Sequence, residues 1–128
     1  LLIDDTYNAS PASTLAALNL LHDLEGRKVA VLGDMLELGQ YEQQGHEKVG
    51  IRAAEVADEI VLIGERIKVT QSAILSTGFK ASKVHWFSDA QAAAAYLETV
   101  LKEGDTTLIK GSHSMHMDQI IAALEVRS

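Results

Sequence analysis

Asp5 and Asn8 stand three positions apart in the run Asp4-Asp5-Thr6-Tyr7-Asn8-Ala9-Ser10-Pro11. A carboxylate accepts hydrogen bonds from sugar hydroxyls, and a carboxamide both donates and accepts, so the pair suits a polar ligand that carries hydroxyls and anionic groups. Two more stretches bring polar groups out of apolar runs: Gly33-Asp34-Met35-Leu36-Glu37-Leu38-Gly39 and Lys110-Gly111-Ser112-His113. None of the three supplies a nucleophile beside a base, so the sequence contains no catalytic residue of its own. His113 and His116 are spaced by three, but a pair without a Cys or carboxylate between them is a weak metal motif, and no metal ligand is assigned. The chain has neither the Gly-x-x-x-x-Gly-Lys-Ser/Thr phosphate loop nor the Gly-x-Gly-x-x-Gly dinucleotide pattern. If a nucleotide binds here, its phosphates are held mainly by something else.

The elements that must position these residues alternate. Apolar runs predict strands near residues 1–4, 28–32, 59–63, 83–87 and 106–110, the second continuous enough to be buried on both faces. Ser10 and Pro11 open a helix with an apolar face at Leu15, Leu18, Leu21 and Leu24, ending near Gly26. Further helices are expected over about 41–57, 65–76, 92–102 and 117–126, the fourth opened by a capping box at Ser88-Asp89-Ala90-Gln91. His22 falls in a last helical turn, where a cation suits the helix dipole. His46, on the apolar face of the second helix, reads as packed or partly exposed rather than catalytic. This alternation predicts an α/β, Rossmann-like three-layer domain, its sheet mostly parallel with helices on both faces. If the strands are parallel, their carboxyl ends bring Asp5, Asn8, Asp34, Gly64, Ser88, Lys110 and Ser112 to one edge, the usual place for a ligand in such folds.

With 128 residues, 47% of them hydrophobic, the chain suits one domain spanning 1–128. A net charge of −7 with only 11 Lys and Arg argues against nucleic acid as a partner. There is no Cys, hence no disulfide and no thiolate metal site, and no membrane span is expected. A cytoplasmic monomer is the default expectation. The opening, apolar and without Met, predicts a fragment of a longer protein.

Taken together and in order, Asp-Asp-Thr-Tyr-Asn-Ala-Ser-Pro-Ala-Ser, Val31-Leu32-Gly33-Asp34-Met35-Leu36-Glu37-Leu38-Gly39 and Lys110-Gly111-Ser112 resemble the C-terminal domain of the Mur ligase family. Within it they are most similar to the branch that adds D-alanyl-D-alanine to UDP-N-acetylmuramoyl-tripeptide. The resemblance implies a three-domain enzyme of peptidoglycan precursor synthesis, whose N-terminal and central ATPase domains this chain lacks. It implies ATP and Mg2+ as cofactors, bound mainly by the central domain, an acyl phosphate on the carboxylate of the UDP-muramoyl peptide, and attack by the incoming amine. It further implies cofactor contacts from Asp5 toward the ribose, Tyr7 along the adenine and Asn8 toward the phosphates, formed when the domains close. Asp34, Lys110, Ser112 and His113 would face the incoming dipeptide. Related ligases, including the folylpolyglutamate synthetases, carry Asp-x-x-His-x-Pro in the first loop. Here Asn8 takes the His position and one extra residue precedes Pro11, which favours the D-alanyl-D-alanine branch. His113 departs from the Arg that often follows Lys-Gly-Ser, and a neutral imidazole lacks the permanent bidentate fork of Arg.

Two other classes remain open on sequence alone. One is the matching domain of a folylpolyglutamate synthetase-like ligase. The other is a free-standing receiver-like or flavodoxin-like module, which Asp4, Asp5, Asp34 and Lys110 imitate loosely.

Overall fold

The computed structural model describes residues 1–5, 9–111 and 115–127, with only the backbone described at 5, 126 and 127. Five strands form one parallel sheet: β1 (Leu2–Asp5), β2 (Lys28–Gly33), β3 (Glu59–Ile63), β4 (Val84–Phe87) and β5 (Thr106–Lys110). Their spatial order is β1-β5-β2-β3-β4. Five α-helices connect and follow them: α1 (Pro11–Asp23), α2 (Glu42–Val56), α3 (Lys68–Ser76), α4 (Ala90–Val100) and α5 (Asp118–Arg127). The expected Rossmann-like architecture is therefore the observed one.

The period-two alternation of the strands divides the interior in two. Ala30, Leu32, Ile60, Leu62 and Leu108 pack with Leu18 and Leu21 of α1, Val49 and Ala53 of α2, and Ile74 of α3. Val29, Val31, Val61, Ile63 and Ile109 pack with Ala93 and Leu97 of α4, and Ile120 and Leu124 of α5. Three helices thus cover one face and two the other. Because both faces of β2, β3 and β5 are covered, these strands are buried almost throughout, and Val29–Leu32 and Ile60–Ile63 are continuous apolar runs, as a buried parallel sheet favours.

The helix starts have local causes. Ser10 caps α1: its Oγ accepts from Ser13 N–H at 3.1 Å, and Ser10 N–H donates back to Ser13 Oγ at 2.9 Å. Pro11 follows at N1, where its missing N–H has no helical partner to lose. At α4 the expected capping box is replaced by a single cap one residue later: Asp89 Oδ1 accepts from Ala92 N–H at 2.8 Å. A carboxylate is the stronger acceptor of the two candidates, and the helix begins at Ala90. The third helix was expected from Glu65, yet α3 begins at Lys68 because residues 64–67 form a turn held by a side chain from another loop.

Order and connection together locate a crevice. The chain runs outward from β2 to β3 to β4 with α2 and α3 on one face, then returns to β5 with α4 on the other. Loops leaving the carboxyl ends of β2 and β5 therefore diverge to opposite faces, which makes the gap between these two strands the topological switch point. Among the described residues no helix is long and apolar enough to cross a membrane.

Candidate functional site

All five strands being parallel, their carboxyl ends share one edge, as the sequence predicted. Lys110 is at its centre. It is in register with Asp5 of β1 on one side and Leu32 of β2 on the other, and its side chain is almost fully buried, at 2% exposure. The backbone thereby brings Asp5, Lys110 and the start of the Gly33-Asp34 loop next to one another. The side chain of Asp5, together with Tyr7, Asn8, Ser112 and His113, lies outside the described residues, so the proposed nucleotide contacts and two of the dipeptide contacts are not described.

The floor of the switch-point crevice is a thioether. Met117, fully buried, lies against the last residue of β2 and the first residue after β5. A Cβ built on Gly33 or on Gly111 would overlap its Sδ. The glycines of the two motifs are thus explained by close packing: only a residue without a side chain leaves room for Met117.

Asp34 opens the loop after β2. Its residue exposure is 6%, and its Oδ1 accepts from Ile67 N–H at 2.8 Å, satisfying a donor at the start of α3 that has no helical partner. The carboxylate rests against Gly64, whose φ of +115° and lack of Cβ are both required, since a Cβ there would overlap Asp34 Oδ1. Asp34 therefore links the carboxyl ends of β2 and β3, and whatever it offers a ligand, it offers from a fixed position.

The rest of this loop is held at several points. Met35 is 1% exposed; its N–H donates to His46 Nε2 at 3.1 Å, and its sulfur receives the Thr14 hydroxyl at 3.8 Å. His46 Nδ1 is 2.7 Å from the carbonyl of Glu42, one helical turn earlier. Because Nε2 accepts from Met35, the ring proton is on Nδ1 and donates to Glu42: the geometry fixes the tautomer. The His46 carbonyl accepts in turn from Thr70 of α3 at 2.8 Å. Between these anchors Glu37 is exposed and adopts φ of +61°, a left-handed conformation costing a residue with a side chain about 1–2 kcal/mol. The sequence placed His46 on a packed face but missed its bond to Met35; spacing along the chain cannot reveal a contact between α2 and a loop eleven positions earlier.

The groups with shifted acidities lie at the opposite, amino edge. Arg27 donates to Asp105 through Nε at 3.0 Å and Nη2 at 2.7 Å, and Asp105 also accepts from Lys102 N–H at 2.8 Å. The guanidinium bond lowers the Asp105 carboxyl below its ordinary range and raises Arg27, burial opposing both. Burial pushes the Tyr96 hydroxyl up, with buried Glu59 adding to it. Tyr96 Oη is 2.7 Å from His85 Nε2, and Glu59 lies 3.9 Å from Arg27 and 3.8 Å from His85. An ion pair tying the turn before β2 to the turn before β5 accounts for the Arg27 and Asp105 shifts, and burial beside Glu59 for that of Tyr96. A depression of about 760 Å3 is lined by Leu2 of β1, Thr107 of β5, Leu101 after α4 and Leu124 of α5, and by none of the residues of the loops after β2 and β3.

The described residues answer in part whether a nucleotide and a metal suit this edge. At the amino end of α1, Pro11 has no N–H and Ser13 N–H is already bonded to Ser10, so this helix is a poor phosphate cradle. Among the described residues no group of three or more His, Asp or Glu could hold a metal ion. The backbone of Asp5 ends β1 at this edge, in register with Lys110.

Against known proteins, residues 1–113 match the family described as Mur ligase, glutamate ligase domain. The chain is 36% identical over 129 aligned residues to the UDP-N-acetylmuramoyl-tripeptide–D-alanyl-D-alanine ligase of Escherichia coli K12, covering 98% of this chain and 27% of that protein. It is 32% identical to the Bacillus subtilis enzyme of the same name, covering 96% and 27%. Among solved structures, MurF of Acinetobacter baumannii superposes with a TM-score of 0.81 at 34% identity, over 96% of this chain and 27% of that one. The Thermotoga maritima MurF ligase in complex with ADP gives 0.80 at 29%, over 99% and 29%. The chain thus spans little more than a quarter of the length of these relatives.

Proposed function

This chain belongs to the Mur ligase family, as its glutamate ligase domain, and from that premise we propose that it is the C-terminal, acceptor-binding domain of an ATP-dependent ligase joining D-alanyl-D-alanine to UDP-N-acetylmuramoyl-tripeptide. The observation that carries the proposal is the identity of 36% over 98% of the chain with an enzyme named for that reaction. A MurF ligase with the same fold binds ADP, which supports ATP as the cosubstrate. The whole protein would be a cytoplasmic monomer of peptidoglycan precursor synthesis, its tripeptide substrate and ATP held chiefly by N-terminal and central domains.

ATP, with Mg2+ neutralising phosphate charge, would be held by the central domain and would supply the phosphoryl group for an acyl phosphate on the tripeptide carboxylate, ADP leaving. The residues of this chain position and shield. Asp5, at the end of β1, would accept from the ribose hydroxyls on domain closure, Tyr7 would border the adenine, and Asn8 would reach the phosphate side. Asp34, Lys110, Ser112 and His113 would line the acceptor side. Closure would bring the amine to the activated carboxyl while excluding water from a group that hydrolyses readily. Because the sequence has no phosphate loop and ATP and Mg2+ would be held chiefly by the central domain, the domain alone is expected to be catalytically silent.

The test is acceptor selection by the full-length ligase, given ATP, UDP-N-acetylmuramoyl-tripeptide and an equimolar mixture of D-alanyl-D-alanine and L-glutamate, with a folate in a parallel reaction. Mass spectrometry of the products should show the dipeptide joined to the tripeptide and nothing joined to the folate. Glutamate joined to the folate would transfer the chain to the folylpolyglutamate synthetase-like reading.

A further inference from the structure

His46 does something for the carboxyl edge that its burial alone does not explain. It is 0% exposed, on α2, and spends both ring nitrogens on backbone: Nδ1–H donates to Glu42 at 2.7 Å, and Nε2 accepts from Met35 N–H at 3.1 Å. The second bond reaches from the helix to the loop that leaves β2 beside the switch-point crevice. That loop begins with Asp34, anchored to Ile67 N–H, and rises to the exposed, left-handed Glu37. A strained residue persists where its surroundings over-determine the backbone, and here Asp34, Met35 and the partly buried Leu38 are the fixed points beneath it. Met35 is held by an imidazole acting as acceptor, so the hold depends on one ring nitrogen keeping its lone pair.

We infer that His46 is a positioning residue for the acceptor side of the site: through Met35 it sets the Asp34–Leu38 loop in the conformation that receives the incoming dipeptide. The inference rests on the ligase reading of this edge. Its chemistry is specific to Nε2. Gln carries an acceptor oxygen near the position of Nε2 and can keep the bond to Met35. Asn, one carbon shorter, reproduces only the donor at Nδ1 and keeps the bond within α2. The two substitutions therefore separate the loop bond from the helix bond.

Two measurements on H46Q and H46N test this. In the 128-residue chain, amide exchange by NMR should find Met35 N–H protected in wild type and H46Q, and exchanging at least about tenfold faster in H46N. In the full-length ligase, H46N should raise the KM for D-alanyl-D-alanine by about tenfold or more with the KM for ATP unchanged, and H46Q should restore most of it. Met35 protection equal in all three, or a dipeptide KM lowered or unchanged in H46N, would overturn the role. Equal losses in H46Q and H46N that follow only their melting temperatures would also overturn it, leaving a core histidine. If wild type itself shows no dipeptide-dependent turnover, the ligase reading fails instead, and the exchange experiment still reports whether the His46–Met35 bond holds the loop.

Discussion

At Asp34 one carboxylate serves the fold through Oδ1 and is proposed to serve the acceptor site as well, and the two roles are separable by substitution. Asp34→Asn keeps an acceptor for Ile67 N–H and should cost no more than about 1 kcal/mol, whereas Asp34→Ala orphans a buried donor and should cost about 1–3 kcal/mol in denaturant unfolding. If the negative charge is used on the acceptor side, Asp34→Asn in the full-length ligase should weaken dipeptide use despite its intact fold. Gly64 is the counterpart of this arrangement. Gly64→Ala forces a side chain into a φ of +115° and into the Asp34 carboxylate, so a loss of about 2 kcal/mol or more is expected, measured by thermal melting. A melting temperature unchanged from wild type would show that the turn between β3 and α3 can relax without Asp34.

Among the elements, the amino edge should carry a pH signature. Arg27 holds the Asp105 carboxyl below its unfolded value of about 3.9, so folding releases a proton that the unfolded chain retains at low pH. The stabilisation is therefore complete above about pH 4–5 and disappears as pH falls through the lowered native value. Asp105→Ala should remove that acid-side dependence and, by leaving Arg27 without its buried partner, cost about 3 kcal/mol near neutrality; urea unfolding at pH 7 and pH 3 reads both. The strands and helices were legible because each rests on local pattern: the run Val29-Ala30-Val31-Leu32 for a strand buried on both faces, Ser10-Pro11 for a helix start. What the pattern missed are contacts between distant elements. Asp34 delaying α3 to Lys68, Met117 occupying the space above Gly33 and Gly111, and His46 bonding to Met35 depend on which loops the topology makes neighbours. The carboxyl edge itself was legible as soon as all strands were taken as parallel, while the roles expected of Tyr7, Asn8, Ser112 and His113 lie outside the described residues.

For the molecule as a whole, the described residues of this edge include a buried lysine and a loop held by Asp34 and Met35. In the proposed reading this edge brings the dipeptide to a carboxylate activated elsewhere. Asp5→Ala in the full-length ligase should then lower turnover at limiting ATP while leaving the melting temperature within about 2 °C, because Asp5 ends an edge strand; unchanged turnover would remove its ribose role. The central claim is tested most directly by phosphate release from ATP by the full-length protein with UDP-N-acetylmuramoyl-tripeptide present and D-alanyl-D-alanine added or omitted. The account predicts sustained release only with the dipeptide, and none from the 128-residue domain under either condition. Release that is indifferent to the dipeptide, or turnover by the domain alone, would contradict it.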